Sequence, residues 1–214
     1  LFGWFFTAKE GVSAKAPAIV VLHGCGGLYG RDKDLNQRHR AMAELLLQQG
    51  YHVLFPDSFT PRGKASICSE KIGTRDLTSA NRRRDALGVL NWIAARPDVD
   101  TNLIALLGWS HGGGTVLSAN NRQFPDVAAH EVKPRAAIAF YPGCSAYLNA
   151  RDGYRPNAPL LLLMGEKDDW TPPKPCVALQ EKVHGQFPND VFELRLYPDS
   201  YHDFDHPTAP LRAR

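Results

Sequence analysis

The chain is punctuated by short runs that are apolar almost throughout: Ala18–Leu22 (AIVVL), His52–Phe55 (HVLF), Leu103–Leu107 (LIALL), Ala136–Tyr141 (AAIAFY) and Pro159–Met164 (PLLLLM). A strand with one solvated face alternates apolar and polar residues, so runs without alternation must be covered on both faces. The stretches between several of them carry apolar residues at helical spacing instead. Leu35–Gln49 offers Ala41, Met42, Leu45 and Leu46 and is followed by Gly50, which accepts a left-handed cap. Leu77–Ala95 offers Ala86, Val89, Leu90 and Ile93 before Pro97, and a further helix is expected over Lys174–His184. A last run, Val191–Tyr197, alternates Phe192, Leu194 and Leu196. Buried strands alternating with amphipathic helices predict an α/β fold, a mostly parallel twisted sheet with helices on both faces.

The 214 residues suffice to bury one substantial core, and no repeat or low-complexity linker divides them, so a single domain over 1–214 is expected. With 25 basic against 22 acidic residues the net charge is +3, too small to imply nucleic acid as a partner. The sharpest basic cluster, Arg82, Arg83 and Arg84, is flanked by Asn81 and Asp85 in a helical pattern and reads as a solvated helix face. No apolar stretch approaches the roughly 20 residues that span a bilayer. The chain begins at Leu1 with no charged-then-apolar leader, which leaves open a leader removed ahead of this numbering. The four cysteines, Cys25, Cys68, Cys144 and Cys176, form no CxxC pair, which argues against zinc or thioredoxin-like chemistry. A bridge such as Cys144 to Cys176 would point to a periplasmic or secreted protein; free buried thiols, compatible with the cytoplasm, are the alternative. A monomer and a small homo-oligomer both fit.

The run Leu103–Leu107 leads straight into Gly108-Trp109-Ser110-His111-Gly112, a G-x-S-x-G string between a predicted strand and a predicted helix. That context suits a nucleophile elbow, in which glycines leave room for a turn so tight that the serine projects above the sheet. A serine hydroxyl is a poor nucleophile at neutral pH and needs a base, itself oriented by a carboxylate. Acid and histidine follow in order: Gly165-Glu166-Lys167-Asp168-Asp169 after one strand, Tyr201-His202-Asp203-Phe204 after the last. The reading is Ser110 as nucleophile, His202 as base, and Asp168 or Asp169 as acid. His206 is the neighbouring rival, and His202-Asp203-Phe204-Asp205-His206 also admits a metal site, but a triad accounts for His202 without one and no metal is expected. Acyl transfer also needs N–H donors for the oxyanion. The backbones of His111, after the nucleophile, and of Cys25, in the HGCGG loop after the first strand, are best placed. The aperiodic segment Ser58–Arg75 reads as a long loop of the kind that carries function. Phe59, Trp109, Tyr141, Trp170 and Tyr201 should lie near the carboxyl edge of the sheet, as candidates for an apolar pocket or as ordinary packing.

Taken together, HGCGGLYGRD, PDSFTPRGKASIC, GWSHGGGTVL, AFYPGC, LLLLMGEKDDWTPPKPC and YPDSYHDFD resemble the dienelactone hydrolase family over Val20–Asp205. The resemblance implies an α/β-hydrolase fold without a large cap domain and a triad of Ser110, Asp168 and His202. Asp168 is preferred because it stands four residues before Pro172, as in the family pattern. A serine esterase or lactonase is implied, working through an acyl-enzyme on a small-molecule ester or lactone with no organic cofactor. The family's namesake enzymes use cysteine where this chain has Ser110, so the dienelactone substrate itself is not carried over. They also hold a substrate carboxylate with arginines; Arg62 and Arg75 are candidates, solvent-facing loop charge being the other reading. The GWSxGGG string is similar to that of some polyester and cutinase-like hydrolases as well. A peptidase or amidase on the same triad, and a non-catalytic binding protein on the same scaffold, are the alternatives. Peptidases of this fold usually carry an extra domain, and a mere binder has little use for a complete triad. The fold normally adds a closing helix after the histidine, and part of it is expected to lie outside this numbering.

Overall fold

The computed structural model describes residues 2–8, 15–71 and 73–208. Among them, seven strands form one sheet: β1 Gly3–Phe6, β2 Ala16–Leu22, β3 His52–Pro56, β4 Val99–Trp109, β5 Ala136–Phe140, β6 Leu160–Gly165 and β7 Phe192–Tyr197. The order is β1-β3-β2-β4-β5-β6-β7, parallel except for β1, which pairs antiparallel with β3. The longer helices are α1 Gln37–Gln48, α2 Ser79–Ala94 and α3 His111–Ala119, followed by the short α4 Pro125–Ala128 and α5 Ser145–Leu148, and then α6 Lys174–Gln186. From β2 the chain crosses to β3 in one direction and then back over β2 to β4, β5, β6 and β7 in the other. Right-handed crossovers in opposite directions put their helices on opposite faces, α1 on one and α2, α3 and α6 on the other. Accordingly α2 and α3 pack against each other and against β4. No helix among the described residues is long and apolar enough to cross a membrane.

The apolar runs become the central strands for the reason that made them conspicuous: Val20, Val21 and Leu22 in β2 and Ile104 and Leu106 in β4 have no solvent exposure to speak of. Ala86, Val89, Leu90 and Ile93 form the buried face of α2 as its spacing predicts. In α1 the buried residues are His39, Ala43 and Leu46, while Leu45, expected inside, is exposed. Gly50 takes the left-handed conformation (φ 85°) after that helix. The solvated-face reading of the arginine cluster is wrong for its first member. Arg82 is wholly buried, Arg83 pairs with Asp126 at 2.9 Å across the ring of Phe124, and only Arg84 is exposed. β1 escaped the sequence reading because it is a short edge strand with a largely exposed first half. The expected closing helix falls after residue 208, outside the described residues.

Register decides where the site forms. Leu22 aligns with Gly108, Trp109 with Phe140, Phe140 with Leu163, and Gly165 with Tyr197. The carboxyl ends of five parallel strands are thus level, and the loops that follow them meet at one edge, next to the point where strand order reverses.

Candidate active site

Ser110 caps the join between β4 and α3 with φ 51° and ψ −114°, a conformation a side-chain-bearing residue rarely holds unless its surroundings impose it. Here they do. The Ser110 N–H donates to the Phe140 carbonyl and the Gly114 N–H to the Ser110 carbonyl, both at 2.9 Å. A Cβ on Gly108 would stand 2.5 Å from the Gly112 oxygen, and one on Gly112 would stand 2.0 Å from the Leu22 oxygen. Any other residue at either position would push the turn off the sheet.

The Ser110 hydroxyl lies 3.0 Å from Nε2 of His202, and Nδ1 of His202 lies 2.8 Å from Oδ2 of Asp168. The carboxylate on His202 is therefore that of Asp168; Asp169 beside it is exposed. Oδ1 of Asp168 accepts the N–H groups of Trp170 and Thr171 at 2.9 and 2.8 Å, and the Thr171 hydroxyl stands 2.9 Å from Oδ2 and 3.1 Å from His202 Nδ1. Burial pushes the Asp168 carboxyl up, but the bonds from His202 and Thr171 and the charge of the imidazole outweigh it and hold the group below the usual carboxylate range. Above the imidazole lies the exposed indole of Trp170, stacked at 5.3 Å and 21°, while Tyr141 lies 4.5 Å away on another side.

Two ties hold the histidine loop down. Asp205 accepts the Trp109 indole N–H at 2.6 Å and the Tyr141 hydroxyl at 2.5 Å, and Asp203 pairs with Arg38 at 2.8 Å. Both carboxylates of the 202–206 string are thus engaged by neighbouring side chains. Burial and the Asp205 charge drive the Tyr141 phenol far above its ordinary value, so it stays a donor.

Cys25 and His111 border the same cavity as Ser110. His111 opens α3, where N–H groups of the first turn lack intrahelical acceptors. Cys25 is bridged to Cys68, and its carbonyl accepts the Ile67 N–H at 2.9 Å and the Ser66 hydroxyl at 3.1 Å, so the 58–75 loop is stapled to the HGCGG loop. A second bridge joins Cys144 to Cys176 on another wall. Beneath the site His23, fully buried, donates from Nδ1 to the Gly24 carbonyl and accepts the Ser58 N–H on Nε2, and burial together with the Arg82 charge drives its pKa well down.

The cavity measures about 670 Å³, and Arg75, His111, Cys144, Tyr147 and Trp170 are among its lining residues. Of the five aromatic side chains expected near the pocket, Trp170 is among its lining residues, and Phe59, Trp109, Tyr141 and Tyr201 are not. Phe59 is buried with Ile67 and Leu77 in a small core of its own, and Trp109 and Tyr141 are buried under the histidine loop. Arg62 is spent on a two-pronged bond to Asp85 at 2.7 and 2.8 Å and a bond to the Ser58 carbonyl, so of the two candidate arginines the cavity holds Arg75.

A comparison with the curated proteins found no match. Among solved structures the chain is similar to a candidate dienelactone hydrolase from Klebsiella pneumoniae subsp. pneumoniae (TM-score 0.70, 21% identity, 92% of this chain and 80% of that one). It is also similar to an esterase of the planctomycete Thermogutta terrifontis in its native form (TM-score 0.69, 17% identity, 94% and 78%). The same esterase phosphorylated by paraoxon gives TM-score 0.68 at 18% identity over 94% and 78%. At these identities they speak for the fold. The model of the dienelactone hydrolase family matches residues 4–213, and the chain belongs to that family.

Proposed function

We propose that the protein is a serine hydrolase of carboxylic esters or lactones working through an acyl-enzyme. Ser110 Oγ attacks the carbonyl carbon while Nε2 of His202 takes its proton. Asp168 holds the imidazole by Nδ1–H and stabilises the imidazolium, and Thr171 fixes both partners. The N–H groups of Cys25 and His111 bind the developing oxyanion. His202 then returns the proton to the leaving alcohol, and a water activated by the same nitrogen releases the acid.

The observation that carries this reading is the unbroken chain Ser110–His202–Asp168, at 3.0 and 2.8 Å, on the wall of a cavity large enough for a small ester. Membership of the dienelactone hydrolase family and the likeness to an esterase point the same way. The two disulfides favour an oxidising, extracytoplasmic compartment.

The test is hydrolysis of p-nitrophenyl esters from acetate to decanoate, with a small lactone alongside and Ser110→Ala as control. Turnover that disappears in the variant supports the reading, and the chain-length preference measures the acyl side of the cavity. Turnover that survives Ser110→Ala, or a folded protein inert on the whole series, contradicts it.

A further inference from the structure

His111 contributes its backbone to the proposed oxyanion hole, but its side chain has no part in that chemistry. It is nevertheless held with unusual care. Arg82, wholly buried in α2, donates from Nη1 to Nδ1 of His111 at 2.8 Å and from Nη2 to the His23 carbonyl at 2.9 Å. A guanidinium has donors and no acceptor, so Nδ1 of His111 must present its lone pair, and the proton of the neutral ring must sit on Nε2. Protonating Nδ1 would set two donors against each other; burial, with the charges of Arg82 and Arg75, pushes the ring's pKa down to about 3. His111 lines the cavity, and its Nε2 is not one of the buried atoms left without a partner. Arg75, Thr78 and Ser79 are among the other residues lining a largely apolar cavity.

The support is expensive. Burying a guanidinium is costly unless it is well paired, and among the described residues Arg82 has no carboxylate on its nitrogens and no partner for its Nε. A helix packing on a sheet needs no such residue. What Arg82 achieves is a neutral imidazole of one tautomer, with an N–H beside the nucleophile.

We infer that His111 is a specificity-determining donor. Its Nε2–H hydrogen-bonds an oxygen of the substrate near the scissile bond, so the site prefers esters and lactones whose acyl or alcohol part carries a hydroxyl, keto or ether oxygen over their hydrocarbon analogues. Arg82 is the positioning residue that sets the tautomer. The inference rests on the hydrolase reading of Ser110, His202 and Asp168.

The experiment compares isosteric ester pairs: p-nitrophenyl methoxyacetate against p-nitrophenyl butyrate on the acyl side, and 2-methoxyethyl against butyl acetate on the alcohol side. For each pair the ratio of kcat/KM is measured in the wild type, His111→Phe, which keeps a ring without the donor, and His111→Gln, which restores an N–H. In at least one pair the ratio falls about five- to tenfold in His111→Phe, the worth of one neutral hydrogen bond, and largely recovers in His111→Gln. Nitrogen-15 NMR of the imidazole gives a readout independent of turnover: the His111 ring is neutral with its proton on Nε2 in the wild type, and loses that single tautomer in Arg82→Lys. Ratios unchanged in both pairs, or a ring carrying its proton on Nδ1, overturn the inference while leaving the hydrolase reading intact. A wild type inert on every ester overturns the hydrolase reading and the inference with it.

Discussion

Removing the Asp205 carboxylate should damage stability and turnover together. Its two oxygens hold the Trp109 indole N–H at 2.6 Å and the Tyr141 hydroxyl at 2.5 Å, and both donors belong to side chains with no solvent exposure. In Asp205→Ala both donors lose their acceptor, and an unsatisfied buried donor costs roughly 1–3 kcal/mol. Because Asp205 itself is half-buried, some solvent can follow the truncation, and we expect a loss of about 2–4 kcal/mol for the pair. Asp205→Asn keeps one carbonyl acceptor and an amide that can donate to the Tyr141 oxygen, so its loss should be about half as large. Trp109 directly precedes Ser110, and the Tyr141 ring lies 4.5 Å from that of His202, so loosening them moves the nucleophile and the base apart. The assay is urea unfolding followed by tryptophan fluorescence, with kcat and KM for a p-nitrophenyl ester measured on the same preparations. We expect kcat to fall tenfold or more and KM to move less. A double-mutant cycle of Asp205→Asn with Tyr141→Phe should return a coupling of about 1 kcal/mol or more. The reasoning fails if Asp205→Ala unfolds within about 0.5 kcal/mol of the wild type and keeps its kcat, that margin being typical of an unimportant surface change.

Acid should destabilise the protein before its carboxylates titrate. His111 and His39 take up protons at an unperturbed 6.5 when unfolded but are lowered to about 3 and about 4 by burial, and His23 is shifted in the same direction. Their contribution is therefore complete above pH 6.5 and is lost as pH falls; at pH 5 His111 and His39 each surrender about 2 kcal/mol. Asp168, held low, adds a further loss as pH falls from the ordinary carboxylate value toward its own lower folded value. Urea midpoints that stay constant from pH 7 to 5 would contradict this. Separately, Cys25→Ser with Cys68→Ser opens a loop with a sequence separation of 43 and should cost about 4 kcal/mol in the loop-closure model. Turnover should fall as well, since the bridge anchors the loop bearing the Cys25 N–H, and a double variant with wild-type kcat would remove Cys25 from the oxyanion hole.

The sheet was legible because its central strands are buried on both faces and so lack alternation; Val20–Leu22 and Ile104–Leu107 announce themselves. The contact of Ser110, His202 and Asp168 was legible because each of the three follows the end of a readable strand, in that chain order of serine, acid and histidine. What hydrophobicity cannot say is whether a buried aromatic faces a cavity or the core. Trp109 and Tyr141 therefore read as pocket residues, although both are hydrogen-bonded under the histidine loop. Charge misled in the same way. Arg82 and Arg84 look alike in sequence, yet one lies under the site and the other in solvent, because helical phase turns Arg82 toward His23 and His111. Arg62 reads as a substrate anchor until Asp85, 23 positions later, is brought to it by the fold. The Cys25–Cys68 bridge joins segments whose proximity no local pattern encodes.

The most direct test of the central claim is to treat the folded protein with paraoxon and map the adduct by mass spectrometry. The account predicts one phosphorylated residue per chain, Ser110, with no labelling of Ser110→Ala and labelling slowed about a thousandfold or more in His202→Ala, as expected when a nucleophile loses its base. A folded wild type that takes up no label, or a Ser110 that reacts as fast without His202 as with it, would contradict the claim that these two side chains act together.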